Sequence, residues 1–132
     1  MDKDMQDIQQ LLDDKQATDI KIIDISSLDT VADYFIVCTA NSLIHSQSLA
    51  NALEDFLDER HIHYRVEGFN PGDWILVDMG DVVVHIFTQK TREYYDIESH
   101  WNNMVEYVKS RRGNRSQIET EESPSSTERD AG

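Results

Sequence analysis

Apolar residues recur at helical spacing in several stretches of this chain. The first fifteen residues predict a short amphipathic helix with the apolar positions Met5, Ile8, Leu11 and Leu12. A better-marked helix is predicted to begin after Asn41 or Ser42, both good N-cap residues, and to run to about Arg60. Its apolar positions are Leu49, Leu53, Phe56 and Leu57. Two more helical stretches are predicted, one from near Gln89 and one that reaches about Arg112.

Runs rich in β-branched residues, bounded by polar or turn-forming residues, predict five β-strands. They span residues 20–25, 34–39, 64–67, 74–79 and 82–88. The last two flank Gly80 and form a predicted β-hairpin, whereas residues 26–32 are predicted to be loop. The turn before the hairpin is indicated by Gly68, Asn70, Pro71 and Gly72.

This order of elements predicts an α/β fold of the α+β kind, with helices packed on a mixed, mostly five-stranded sheet. The second and third strands are joined through a helix, and such a connection suits a parallel crossover. The hairpin must be antiparallel. A chain of 132 residues has about the length of one domain.

Successive residues of a strand alternate between faces, so the predicted hairpin has two unlike faces. Its two-residue turn begins at either Met79 or Gly80. The first register places His85 opposite Trp74, and the second places Phe87 there. Both registers give the same faces, although a three-residue loop would break this parity. One face is aliphatic and is expected to pack against the helices; it holds Ile75, Val77, Val82, Val84 and Ile86.

The other face of the hairpin combines aromatic and aliphatic side chains with one carboxylate and one imidazole. Its residues are Trp74, Leu76, Asp78, Val83, His85 and Phe87. Tryptophan in such a patch is a common anchor of protein interfaces, so this face is a candidate binding surface. The alternative interpretation is that helices cover this face too, with Asp78 and His85 at its rim.

The net charge of −14 is concentrated in the first part of the chain. Residues 109–132 hold five basic and five acidic side chains, so residues 1–108 carry the whole net charge. The last residues contain almost no large apolar side chain except Ile118, which predicts a single domain of residues 1–110 and a disordered tail of residues 111–132. An acidic domain repels phosphate backbones, so little direct nucleic-acid contact is expected. A basic protein partner suits this charge, unless the charge serves solubility alone.

Candidate metal and catalytic sites in the sequence are weak. His61 and His63 could share a strand face, but no third ligand lies nearby, so no metal site is predicted. A nucleotidyltransferase needs two closely spaced carboxylates on a strand, whereas the only Asp-x-Asp spacing, Asp2 with Asp4, lies in the first predicted helix. The five glycines are dispersed and form no phosphate-binding loop.

The remaining reactive side chains also have structural interpretations. Ser42 is interpreted as a helix cap rather than as a nucleophile activated by His45. The single cysteine, Cys38, lies in an apolar run and is expected to be a small buried hydrophobe. No apolar stretch has the length of a membrane span and residues 1–15 are too acidic for a signal peptide, so a cytoplasmic protein is expected. The chain is therefore predicted to bind rather than to catalyse, without a cofactor.

Three blocks of the sequence together resemble the Iojap family of ribosomal silencing factors (RsfS). The first block is Ala-Asp-Tyr-Phe-Ile-Val-Cys-Thr-Ala-Asn-Ser at residues 32–42. The second is Glu67 with Gly68, followed by residues 72–87, which begin Gly-Asp-Trp-Ile-Leu-Val-Asp and end Val-His-Ile-Phe. The third is Arg-Glu-Tyr-Tyr-Asp-Ile-Glu at residues 92–98, followed by Trp101. The resemblance covers roughly residues 4–105, and its second and third blocks are specific.

The resemblance implies a mixed α/β fold similar to that of nucleotidyltransferases but without their active site. It also implies a partner, the large ribosomal subunit, contacted through large-subunit protein fourteen at the face where the small subunit would dock. Steric exclusion of the small subunit would lower translation when nutrients are short. A homodimer is left open. Ala40 stands where the family often has glycine, and Ser99 and His100 replace residues that are more often basic or aliphatic.

The contact surface implied by the resemblance combines the second hairpin face with the third block. Trp74 and Leu76 are the implied apolar anchors. Asp78 is expected to meet a basic side chain, and His85 to supply a hydrogen bond. The other implied contact residues are Phe87, Arg92, Tyr95 and Asp96. Two alternative functions are a nucleotidyltransferase-fold enzyme and an assembly or scaffolding module for another basic protein.

Overall fold

The computed structural model describes residues 2–28 and 32–113. Its helices are α1 (Asp2–Asp14), α2 (Leu43–Glu59), α3 (Gln89–Tyr95) and α4 (Ile97–Gly113), with a 3₁₀ turn at Ser26–Leu28. Its strands are β1 (Thr18–Asp24), β2 (Tyr34–Ala40), β3 (Arg65–Glu67), β4 (Trp74–Asp78) and β5 (Val82–Thr88). Each predicted helix and strand is present close to its predicted bounds. Most of the predicted tail, residues 114–132, lies outside the described residues, so the domain boundary stays a prediction.

The strands form one five-stranded sheet in the order β1-β2-β5-β4-β3. Strands β2 and β5 are parallel, whereas the other neighbouring pairs are antiparallel. The predicted mixed sheet and antiparallel hairpin are therefore confirmed. Strand β3 runs parallel to β2, as expected for a connection through a helix, but β5 and β4 lie between them.

The hairpin turns at Gly80 and Asp81, so the second of the two predicted registers is correct. The backbone N–H of Met79 donates to the carbonyl oxygen of Val82 at 2.9 Å and closes the turn. Trp74 consequently lies opposite Phe87. The predicted separation into two faces holds, because the turn keeps the parity of the two strands.

The larger core lies between one face of the sheet and helices α1 and α2. The five aliphatic residues predicted for the inner face of the hairpin are all in it, each at most 2% exposed. The helices contribute Met5, Ile8 and Leu12 from α1, and Leu49, Leu53 and Leu57 from α2. Burial of one such aliphatic side chain stabilises the fold by about 1.5–3 kcal/mol. This core therefore fixes which face of the hairpin points away from α1 and α2.

A smaller core lies on the opposite face of the sheet, beneath α4. Its buried residues are Ile23, Ile25, Ala32, Phe35, Val37, Phe87 and Val105. Helix α4 packs against β1 and against the 3₁₀ turn. It therefore covers the side of the sheet where β1 and β2 lie.

The start of α2 is tied to the loop that leads into β4. The Ser42 hydroxyl accepts a hydrogen bond from the His45 backbone N–H at 3.0 Å, which confirms Ser42 as the N-cap. The His45 ring accepts from the backbone N–H of Asn41 at 2.8 Å, so it also serves the cap. One turn further on, the buried Ser46 hydroxyl donates to the carbonyl oxygen of Gly72 at 2.6 Å. These bonds position the loop from which β4 begins.

Two glycines on either side of β4 differ in what an added methyl group would meet. Gly68 and Gly80 both have positive φ, +79° and +92°. We expect Gly80→Ala to lower the free energy of unfolding by about 1–2 kcal/mol through backbone strain alone, because open space surrounds that position. Gly68→Ala is expected to cost clearly more, since its Cβ would overlap the carbonyl oxygen of Trp74. Urea unfolding measures the free energy of unfolding of both variants. Equal losses would show that the close approach of Gly68 to β4 does not affect the stability of the alanine variant.

Candidate functional site

The outward face of the hairpin, called the mixed face and comprising Trp74, Leu76, Asp78, Val83, His85 and Phe87, belongs to rows of side chains that cross the sheet. One row passes from β2 to β3 through Phe35, Val83, Asp78 and Arg65. The next passes through Val37, His85, Leu76 and Glu67. Burial falls along each row toward β3. In the first row Phe35 is 8% exposed, whereas the Arg65 side chain is 74% exposed.

Helix α4 accounts for this gradient, because it covers the rows at their β2 end. Trp101 of α4 packs edge-on against Phe35, with 5.1 Å between the ring centroids. Trp74, Leu76 and Val83 stay half-buried at the open end of the rows. Helices therefore cover this side of the sheet only in part. An apolar surface is left between α4 and the edge strand β3.

Trp74, the first residue of β4, is held in the mixed face by contacts with three side chains. Its ring lies 5.0 Å from the ring of Phe87 and 4.8 Å from that of Tyr95, measured between centroids. Its indole N–H donates to Nδ1 of His85 at 3.1 Å. The Trp74 ring is therefore fixed in place while part of it faces solvent. Phe87 is fully buried, so it supports Trp74 and offers no area to a partner, contrary to its expected role as a contact.

His85 is also buried, at 5% exposure, and its role differs from the expected surface hydrogen bond. An indole N–H can only donate, so Nδ1 of His85 must accept and the proton of the neutral ring sits on Nε2. Burial lowers the pKa of His85 to about 4, so the ring is neutral at pH 7. Nε2 has no hydrogen-bond partner among the described residues. His85 therefore positions Trp74 and keeps one unused donor.

Asp78 lies at the open end of the mixed face and is already partnered within the chain. Its carboxylate accepts from the backbone N–H of Gly80 at 2.9 Å. It also lies 3.5 Å from the guanidinium of Arg65, its neighbour on β3. The Arg65 side chain is largely exposed, so this ion pair is weak and can be exchanged for a partner's basic group. Leu76, beside it, is half-buried and apolar.

Arg92 points into the fold and not to a partner, which corrects its expected role as a contact. Its guanidinium holds the Glu98 carboxylate with two bonds of 2.8 Å. It also donates at 2.7 Å to the Asp19 carbonyl oxygen and to the Thr39 hydroxyl. Only 6% of the Arg92 side chain is exposed. Arg92 thus joins α3 to α4, β1 and β2, and a charge bound this way is not available for recognition.

Tyr95 and Asp96 are exposed, as the implied contact surface requires. Tyr95 is 51% exposed and extends the apolar area of Trp74. Asp96 has φ of +45° and ends α3, so the chain reverses there into α4. Tyr94, its neighbour, is 79% exposed. Trp101 is only partly buried and borders the mixed face from the side of α4.

Sequence patterns missed the β2 and loop residues that border the mixed face, Phe35 and Ala32 among them. Strand alternation inside the hairpin relates β4 to β5 only. The neighbour of Val83 on its other side is Phe35 of β2, almost fifty residues earlier in the chain. No pattern within one segment reports that pairing. Only an inference that β2 lies next to β5 would have found these residues.

The described ranges contain no group of three or more histidine, cysteine, aspartate or glutamate residues able to hold a metal ion. Within the same ranges, no helix has the length and apolar character needed to cross a membrane.

Comparison with known proteins gives consistent matches over most of the chain. A family model described as "Ribosomal silencing factor during starvation" (RsfS) matches residues 1–132. Ribosomal silencing factor RsfS of Bacillus subtilis is 44% identical over 92 residues, which are 69% of this chain and 78% of that protein. A mouse protein named "Mitochondrial assembly of ribosomal large subunit protein 1" is 29% identical over 97 residues, 69% of this chain and 42% of that protein.

A solved structure also matches the fold. The crystal structure of a protein from Chromobacterium violaceum superposes with a TM-score of 0.69 at 37% sequence identity. The match covers 74% of this chain and 85% of that chain. The mixed α+β architecture is thus shared with an experimental structure.

The buried, neutral state of His85 predicts a specific dependence of stability on pH. Above pH 6.5 the ring is neutral in both the folded and the unfolded chain, so the full stability is present. Between pH 6.5 and pH 4 the unfolded chain takes up the proton first, and the folded state loses up to about 3 kcal/mol. His85→Gln keeps an acceptor for Trp74 without titrating, and should lack this loss. Urea unfolding at pH 7 and pH 5 tests it; identical pH dependence in both proteins would contradict a depressed His85 pKa.

The hydrogen bonds of Arg92 predict that two Arg-to-Lys substitutions differ in their effect on stability. Arg92→Lys keeps the charge but cannot reach Glu98, Asp19 and Thr39 together, so we expect unfolding free energy to fall by about 2–3 kcal/mol. Arg65→Lys, at an exposed pair, should change it by less than about 0.5 kcal/mol. Urea unfolding at pH 7 measures both. A loss for Arg92→Lys no larger than for Arg65→Lys would contradict a structural role.

Proposed function

This chain belongs to the family of ribosomal silencing factors (RsfS), and we propose that it represses translation by binding the large ribosomal subunit. The proposed contact is large-subunit protein fourteen, at the face where the small subunit would dock. Occupation of that face would block subunit joining sterically and lower translation under nutrient limitation. No catalytic residue is needed for such a mechanism.

The half-covered mixed face is the observation that carries this proposal. Trp74 is rigidly held yet partly exposed, with Tyr95 and Leu76 beside it. Rigid aromatic side chains at the centre of a patch contribute most of the binding energy in many protein interfaces. Because Trp74 is already fixed by Phe87 and His85, little conformational freedom is lost when a partner covers it.

The charge of the domain supports a basic partner. Residues 1–108 carry the whole net charge of −14. Asp78 lies within the mixed face, and its present partner Arg65 is exposed enough to be replaced. Attraction between an acidic and a basic surface accelerates association and weakens as salt is added. Binding is therefore expected to fall with ionic strength.

A role in assembly is a second candidate function, and the name of the mouse relative favours it. A factor that covers one face of a large subunit can also protect an incomplete particle from premature joining. Both roles use the same contact. They differ in whether the chain binds mature subunits or only precursors.

The exposed Trp74 predicts a large effect on binding. Trp74→Ala should weaken binding to purified large subunits by at least about tenfold, because it removes the central aromatic anchor. Co-sedimentation of the full chain with large subunits through sucrose measures this. In a light-scattering assay of subunit joining, the wild-type chain should inhibit and the variant should not.

Ile44→Ala is the matched control, since Ile44 is 79% exposed on α2, away from the mixed face. It should bind like the wild type. Far-UV circular dichroism establishes whether Trp74→Ala keeps the fold. Full binding by a folded Trp74→Ala variant would show that the mixed face is not the contact surface.

A further inference from the structure

An apolar cleft opens between the mixed face and α4. Its volume is about 280 Å³, and the surface exposed inside it is apolar. The residues that line it come from five parts of the chain and include Ile25, Phe35, Leu76, Val83, His85 and Trp101. The cleft therefore lies where the cover provided by α4 ends and the open part of the mixed face begins.

The size of the cleft restricts what can occupy it. Pockets for cofactors and drug-sized ligands usually have volumes of about 300–1,000 Å³ and several placed polar groups. This cleft lies at the lower limit and has apolar walls. It suits one large apolar side chain better than a nucleotide or another cofactor.

Three aspartates lie next to cleft residues, in the sheet or along the chain, near the point where β5 begins. Asp78 is the direct neighbour of Val83 in the sheet. Asp33 follows the cleft residue Ala32, and its backbone N–H donates to the carbonyl oxygen of Asp81 at 2.8 Å. Asp33 and Asp81 are both exposed. An occupant whose apolar side chain is flanked by lysine or arginine would satisfy this rim.

We propose that this cleft receives one apolar side chain from a basic protein of the large subunit, flanked by lysine or arginine residues that pair with Asp33, Asp78 and Asp81. The inference rests on the proposed function. It adds the position at which the partner's apolar side chain binds and the charged groups that surround that side chain. The cleft binds the apolar side chain of the partner, and Trp74 and Tyr95 form the surface beside the cleft. A nucleic-acid base would also fit an apolar cleft, but the carboxylates at its rim repel phosphate.

A larger side chain in the wall of the cleft would fill the cleft, which tests the proposal without removing Trp74. Val83→Phe adds bulk at a half-buried position of the cleft wall, and should weaken binding to purified large subunits by at least about tenfold. Ile44→Phe adds the same bulk at an exposed position on α2 and should bind like the wild type. Titration of the labelled full chain with large subunits gives both affinities.

Charge reversal at the rim is a second, independent variant that leaves the cleft walls unchanged. Asp81→Lys should weaken binding by at least about tenfold and reduce the dependence of binding on salt. Asp55→Lys changes the net charge equally at an exposed position of α2, and should weaken binding by less than about threefold. Thermal unfolding of all four variants identifies any that fail to fold.

The outcomes separate this inference from the proposed function. Loss of binding in Val83→Phe and Asp81→Lys, with both controls unaffected, supports the cleft as the anchor site. Wild-type affinity in both folded variants overturns the inference but leaves binding through Trp74 in place. A wild-type chain that binds no large subunit overturns both. If naked large-subunit RNA binds the wild type and Val83→Phe abolishes it, the assignment to a protein side chain is wrong.

Discussion

The parallel pairing of β2 with β5 is the constraint on which the rest of this structure depends. It joins Tyr34 to Val82 at one end and Ala40 to Thr88 at the other. Because β5 also pairs with β4, it becomes the central strand and both of its faces are largely buried. The outward side chains of β5 then form the base of the candidate site. Apart from Val83, the accessible positions on this face are left to β4 and to the edge strand β3.

This burial changes what the polar groups at the site can do. His85 is neutral, accepts from Trp74 and orients it, so in the proposed interface it acts through Trp74. Phe87 acts in the same way from below the Trp74 ring. The exposed part of Trp74 is therefore held by a buried layer, as in interfaces whose anchors are already ordered before a partner arrives. A rigid anchor and an adjacent apolar cleft are compatible with recognition by shape and charge alone.

Arg92 has a comparable supporting role at the corner between α3 and α4. Its bonds to Glu98, Asp19 and Thr39 hold that corner against the ends of β1 and β2. The corner in turn places Tyr95 against Trp74 and starts α4 on the course that brings Trp101 onto Phe35. Arg92 and Glu98, two charged residues of the third block, thus shape the candidate surface from inside the fold. Its aromatic residues are the ones that border or form that surface.

The sequence by itself determined the elements of this protein and the two faces of its hairpin. Helical spacing and strand alternation are local properties, and the turn at Gly80 keeps the parity between β4 and β5. The three sequence blocks also indicated the family, because their residues and order are specific. Trp74, Leu76, Tyr95 and Asp96, which the sequence and the resemblance indicate as contacts, are accessible in the fold.

Only the tertiary structure decided which of the outward residues are reachable. Alternation assigns a side chain to a face, but it does not report how much of that face another segment covers. The pairing of β2 with β5 and the course of α4 bury Phe87 and His85, and the network around Glu98 buries Arg92. These contacts join residues far apart in the chain, so no local pattern encodes them. The cleft between α4 and the hairpin exists for the same reason, because its walls meet only after the chain has folded.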